Sequence, residues 1–235
     1  MRLGHGAGRL TWLDNGLARL PVVPDGELLA LRKSCGPLVC LGRHVRKNRF
    51  DLAIRGFAAY RQRGGGRSLL LIGDGPETPA LRLLAADLGA AVIFAGPVYD
   101  AGGLDRHLRS AAAVIHPLAM GLSINTAFGY GLPVVACADA RRHMPEFWVW
   151  QDCFNGLGFS APRGREESAV PGIAGALAQL DDLSPAAYAC LALAAHNVVA
   201  PLTTTAMAER VLGLCQRVLD RTGSCISADP SHALP

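Results

Sequence analysis

The 235-residue chain lacks most of the signatures by which a sequence declares its chemistry. No continuous apolar run reaches the roughly 18–20 residues that span a bilayer, because charged or other polar residues interrupt every candidate. The opening residues, MRLGHGAGRLTWLDNG, have no continuous apolar core of the signal-peptide kind, so a cytoplasmic location is expected. Seven cysteines, at 35, 40, 137, 153, 190, 215 and 225, form neither a CxxC pair nor a Cys/His ligand spacing. Their odd number argues against a disulfide framework, no metal site is read, and most are expected to be buried thiols in apolar runs. There is no GxSxG elbow, and no carboxylate stands at triad-like distance from His44, His116 or His143, which leaves hydrolase chemistry unsupported. Gly73-Asp74-Gly75 begins a GxGxxG fingerprint, but the third glycine is missing and Pro76-Glu77 opens the helix instead. Glu77 would repel a pyrophosphate there, which sets aside a dinucleotide dehydrogenase. Charge is scarce: 18% of residues carry it and the net value is +4. That is too little to argue for nucleic acid; it favours anionic small molecules or a loose peripheral contact with a membrane surface.

What is present is hydrophobic and punctuated. Half of the residues are apolar, enough for a sizeable core. Residues 1–36 are rich in Gly and Pro and read as a linker or the remnant of a preceding domain. From residue 37 to 221, short apolar strands alternate with helical periodicities. Strands are expected at 38–41, 68–72, 91–95, 112–115, 133–137 and 156–160. Helices are expected at 50–63, 77–88 and 104–109, from 122 onward, and at 169–180, 185–199 and 203–219. Residues 222–235 read as a disordered tail. The alternation predicts an α/β fold: a Rossmann-like parallel sheet with helices on both faces. Ligands of such sheets bind beyond the carboxyl ends of the strands, near the switch in strand order.

The special residues cluster at those strand ends. Arg43 to Arg49, R-H-V-R-K-N-R, places four permanent cations after the first strand, either as a diphosphate grip or as a solvated loop. Gly96-Pro97-Val98-Tyr99 either holds a flat base by backbone bonds and stacking or is a turn with a packed tyrosine. The stretch 117–136 runs loop, helix start, helix, turn, strand. Its opening residues Gly121, Leu122 and Ser123 would aim free backbone N–H groups at an anion. Asp139 and Glu146 follow the fifth strand, where each either touches a polyol or caps a turn. The aromatic segment 146–150 is either a lid or a packing wedge.

Laid end to end, these motifs resemble the glycosyl transferases group 1, a retaining family of the GT-B fold (family 4-like), in its C-terminal nucleotide-sugar-binding half. The matching residues are Asn15-Gly16-Leu17, Leu41-Gly42-Arg43, Leu71-Ile72-Gly73-Asp74-Gly75-Pro76-Glu77 and Phe94-Ala95-Gly96-Pro97-Val98. Gly121-Leu122, Gly131-Leu132-Pro133-Val134-Val135-Ala136, Pro145-Glu146 and Asn155-Gly156 continue the series in the same order. The resemblance implies a donor domain that transfers a sugar from a nucleotide-diphosphate sugar to an acceptor with retention and without a cofactor. Arg43 and Lys47 would act on the diphosphate, beside Gly42. Val98 and Tyr99 would meet the base, and Gly121, Leu122 and Ser123 the phosphates. Thr126 and Glu146 complete the implied substrate-binding set.

Three departures accompany the resemblance. The family's two glutamates, eight residues apart, are replaced by Leu118 and Thr126. Asn48 falls where the family lysine is expected, with Lys47 adjacent. The chain contains almost nothing of the acceptor-binding N-terminal domain, so an acceptor-domain subunit is an expected partner. The alternative is a non-catalytic relative that binds nucleotide sugar or a protein partner; an epimerase of the same architecture finds less support.

Overall fold

The computed structural model describes residues 13–17 and 25–226, with side chains described as far as 220. Among the described residues two compact units emerge, 25–200 and a smaller one that joins 13–17 with 201–226. In the larger unit six strands form one wholly parallel sheet: β1 (Leu38–Leu41), β2 (Leu69–Ile72), β3 (Val92–Gly96), β4 (Ala113–His116), β5 (Val134–Cys137) and β6 (Gly156–Phe159). The order β3-β2-β1-β4-β5-β6 reverses between β1 and β4, which sets the ligand crevice of such a sheet between Gly42 and His116. The helices are α1 (Gly26–Cys35), α2 (Phe50–Gln62), α3 (Thr78–Asp87), α4 (Ala101–Leu108), α5 (Ser123–Gly129), α6 (Val170–Asp182) and α7 (Pro185–Val199).

Helices flank the sheet because its strands are apolar throughout and need cover on both faces. Alternate strand residues, Leu38 and Cys40, Leu69 and Leu71, Ala113 and Ile115, Val135 and Cys137, enter one buried cluster with Phe50, Ile54 and Phe57 of α2 and Ile173 and Leu177 of α6. Gly56 lets α2 and α6 touch: a Cβ there would overlap the Ile173 side chain. The smaller unit contains α8 (Thr204–Ile226), whose first amide, Thr204 N, donates to Leu17 O at 3.1 Å; Leu17 N donates to Leu202 O at 2.8 Å, and Arg210 of α8 pairs with Asp14 at 2.9 Å.

Most predicted elements are found within a few residues of their expected bounds, and the exceptions have local causes. Helix α1 occupies part of the segment read as a linker or domain remnant. Asp25 caps it, accepting from Leu28 N at 2.8 Å, but only Leu29 and Arg32 are buried, so no apolar periodicity marks it. Arg32 docks it by donating to the carbonyls of Arg109 (2.6 Å) and Tyr130 (2.8 Å), and Arg67 caps its far end by donating to Arg32 O and Gly36 O. Residues 1–12 and 18–24 of that leader lie outside the described residues. Helix α4 starts three residues early because Asp100 accepts from Gly103 N at 2.6 Å and outweighs the two glycines. At the other end α8 continues through 226, into the expected tail, while 227–235 lie outside the described residues. The cysteine expectation is corrected too. Of the six whose side chains are described, only the strand residues Cys40 and Cys137 are buried, because Cys35, Cys190 and Cys215 lie on outward helix faces and Cys153 on a turn.

Candidate functional site

The loop after β1 is folded from within. Residues 46–48 form one 3-10 turn, and Asn48, 6% exposed, turns inward so that its Nδ2 donates to Arg43 O at 2.7 Å. Arg49 closes the loop in a left-handed conformation (φ 53°) and is spent on ion pairs with Asp51 at 2.9 Å and Glu167 at 2.8 Å. Those carboxylates hold its guanidinium pKa above the ordinary value. Arg43, Arg46 and Lys47 are exposed, and among the described residues their side chains meet no carboxylate. Asn48 thus occupies the expected lysine position as an internal brace, and Lys47 beside it remains outward.

The loop after β2 is stitched to the first. Gly42 N donates to Ile72 O, and His44 N to Asp74 O. Gly73 (φ 137°) sits so close that a Cβ would strike Gly42 O, so only glycine allows this approach. The His44 Nδ1–H donates to Thr78 Oγ1 at 2.8 Å and the Thr78 hydroxyl donates to Asp74 Oδ1 at 2.6 Å. Thr78 and the Gly75 amide hold the Asp74 carboxyl below its usual range, while burial lowers the pKa of His44. The Gly73-Asp74-Gly75 element braces the loops and also faces the opening between them.

That opening is a cleft of about 450 Å³ beyond β1, β2 and β3, lined among others by Gly42, Arg43, Asp74, Val98 and Tyr99. Four residues singled out in the sequence, Gly42, Arg43, Val98 and Tyr99, therefore share one wall system. Tyr99 is 92% exposed, which removes the packed-tyrosine reading. Lys47 is not among the lining residues.

The other candidates gather across the switch point. Leu122 is exposed, Ser123 opens α5 and Thr126 lies half-buried one turn on. Gly121 packs on Met144, with a Glu146 carboxylate oxygen 3.5 Å from where a Gly121 Cβ would stand. The 117–122 loop is zipped to the segment after β5: Ala119 N donates to Arg142 O at 2.8 Å and Met144 N to Met120 O at 2.9 Å. His143 completes the zip, its Nε2–H donating to Cys137 O at 2.9 Å while Nδ1 accepts from Met120 N at 3.3 Å. Acceptance at Nδ1 requires the neutral ring, and burial pushes its pKa down to about 4. Arg142 is pinned by Glu166 at 2.7 Å, which with the Gly164 amide draws that carboxyl down to about 2. Leu118 N donates to Asn48 O at 3.4 Å, so Asn48 is also the tie between the two halves.

Several alternatives left open by the sequence resolve. Asp139 caps a turn, accepting from Arg141 N at 3.1 Å and pairing with the Arg141 guanidinium. The 146–150 segment is a wedge: Phe147 and Val149 are buried, Phe147 stacks on His143 at 3.6 Å, and Trp150 Nε1 donates to Val134 O at 3.0 Å. Sequence reasoning missed the inward role of Asn48 and the His44–Thr78–Asp74 chain, since both depend on contacts between separate loops. Among the described residues no cluster of His, Cys, Asp or Glu has the makings of a metal site, and no helix is long and apolar enough to cross a membrane.

Comparison with known proteins agrees with the fold. The sequence pattern of glycosyl transferases group 1 matches residues 37–179, more than half of the chain. Comparison with curated proteins finds no match. Among solved structures, the pneumococcal O-GlcNAc transferase GtfA, crystallised with UDP and GlcNAc, superposes with TM-score 0.68 at 17% identity over 80% of this chain. The GtfA/B complex superposes with TM-score 0.72 at 16% identity over 88%. The C-terminal domain of LpcC, a glycosyl transferase group 1 family protein from Francisella tularensis, gives 0.58 at 19% over 78% of this chain and 94% of that one. At these identities the likeness speaks for the fold alone. The chain spans 36% of the GtfA chain and 39% of the one in the GtfA/B complex.

Proposed function

The chain belongs to glycosyl transferases group 1, and from that premise we propose that it is the donor domain of a retaining glycosyltransferase. It binds a nucleotide-diphosphate sugar and passes the sugar to an acceptor held by a domain on another chain, on the cytoplasmic side. The observation that carries this reading is the cleft at the β1, β2 and β3 ends, where Arg43 stands unpaired opposite Val98 and Tyr99. The Val98 backbone and the Tyr99 ring receive the base. Arg43, with Lys47 on the adjoining turn, neutralises the diphosphate and stabilises it as leaving group, because a cation facing developing negative charge strengthens its hold in the transition state. The amides at Gly121, Leu122 and Ser123 face the same anion from across the switch point; Thr126 and Glu146 serve the ribose and sugar hydroxyls. No cofactor besides the donor enters this scheme. A facing partner subunit is in keeping with GtfA, which was crystallised both with UDP and as a GtfA/B complex.

A second reading is favoured by the apolar Leu118, which is buried, and by Thr126: a relative that binds the donor without transferring it. Calorimetric titration with UDP-, GDP- and ADP-sugars tests the donor site, and micromolar to low-millimolar binding of one of them is expected. Silence toward all three at millimolar concentration refutes it. Binding without turnover in the presence of partner subunits and acceptor extract favours the second reading.

A further inference from the structure

The switch point holds a small polar space that the diphosphate scheme leaves unused. Gly42, with φ 142°, lines the cleft and has no side chain. A methyl group in its place would meet His116 Nε2 at 3.7 Å, Phe50 Cζ at 3.8 Å and Asn48 Nδ2 at 3.9 Å. These are ordinary contact distances, so the space beside Gly42 has the size of one methyl group or one oxygen atom. Its walls are an imidazole, an amide and the edge of a phenyl ring.

His116 is 2% exposed and its Nδ1 has no hydrogen-bond partner. It is Nε2, not Nδ1, that stands among the atoms nearest the space beside Gly42. The Phe50 ring meets the His116 ring edge-on, 5.0 Å between centroids and 71° between planes, which fixes how the imidazole is presented. Asn48 Nδ2 has two hydrogens and uses one on Arg43 O, leaving a second donor.

The chemistry of these walls selects the guest. Phosphate oxygens are charged acceptors, and the cations suited to them point outward at Arg43, Arg46 and Lys47. The niche itself is neutral, since burial pushes the His116 pKa down to about 3 and an amide does not titrate. The imidazole nitrogen that faces the space, Nε2, is a donor or an acceptor according to the tautomer, and a hydroxyl, which can do either, matches it in both cases.

We propose that His116 and Asn48 form a hydroxyl niche beside Gly42 that reads the sugar of the donor. The niche rests on the donor-domain reading and adds a specificity determinant to it: the sugar, not the nucleotide, engages His116.

The test uses the full chain and matched pairs, UDP with UDP-glucose, GDP with GDP-mannose and ADP with ADP-glucose, titrated by calorimetry. The variant His116→Phe keeps a ring against Phe50 and removes both nitrogens, His116→Leu does so without a ring if phenyl does not fit, and His116→Asn keeps a polar group. The expected result is a loss of about three- to tenfold in affinity for the nucleotide sugar in the apolar variants. Affinity for the free nucleotide stays unchanged, and His116→Asn recovers part of the loss. Equal loss for sugar and free nucleotide assigns His116 to structure and overturns the niche, as does no loss for either. A wild type that binds the nucleotide but gains nothing from the sugar overturns the niche alone. A wild type that binds no member of any pair removes the donor-domain reading and the niche with it.

Discussion

Lowering the pH from 7.5 to 5 is expected to strip several kcal/mol from the stability of this domain. Burial holds His116 at about 3 and His143 at about 4 in the folded chain, against roughly 6.5 when unfolded. A folded pKa below the unfolded one means that the unfolded chain takes up the proton first, so stability is complete above 6.5 and declines as pH falls toward 4 and 3. At pH 5 each ring lies about 1.5 units below its unfolded pKa, worth about 2 kcal/mol at 1.36 kcal/mol per unit, or about 4 kcal/mol together. Burial moves His44 in the same direction. Domains of this kind have only about 5–15 kcal/mol in total, so the loss is a large share. The carboxylates act in a separate window. Glu166, drawn down to about 2, contributes stability that is present above roughly 4.5 and is lost below it. Urea unfolding followed at pH 7.5, 6.5, 5.5 and 5 measures the effect, and His116→Phe should remove about half of the slope below pH 6.5. A midpoint independent of pH across this range would refute the neutral, buried histidines and with them the tautomer assigned at His143.

Two further outcomes follow from single contacts. Arg43→Ala should weaken nucleotide-sugar binding about tenfold, the lower end for a charge-assisted bond at an exposed site, and the difference from wild type should shrink in high salt; equal affinity by calorimetry would move the diphosphate elsewhere. Gly56→Ala should cost about 1–3 kcal/mol in denaturant unfolding, since its Cβ would overlap Ile173 where α2 meets α6, and an unchanged midpoint would contradict that packing.

The legible parts of this molecule were those written in local pattern. Short apolar runs ending in Gly42, Gly73 and Gly96 marked three strands and, by the same glycines, the edge where the loops converge. The helix starting near Leu122 was marked by its own flanking glycines. Helix α1 was not legible, because its docking depends on Arg32 and Arg67 reaching backbone carbonyls far away in sequence rather than on an apolar stripe. Exposed cysteines escaped for the opposite reason: an apolar run such as that around Cys190 is a helix with one face outward. The candidate site was half legible. Residue type and strand position brought Arg43, Val98 and Tyr99 together in advance, but whether Asn48 turns in or out is decided by its bond to Arg43 O, a contact no spacing rule encodes. The same holds for His116, whose isolation is a property of its surroundings.

Backbone amide chemical-shift mapping tests the location of the donor site most directly. Titrating the bound nucleotide sugar into labelled chain should move the amides of residues 42–43, 98–99 and 121–123 together, with the α2–α6 core unmoved. Shifts confined instead to the opening of about 480 Å³ beyond β5 and β6, lined by Asp139, Asp152 and Gly158, would contradict it.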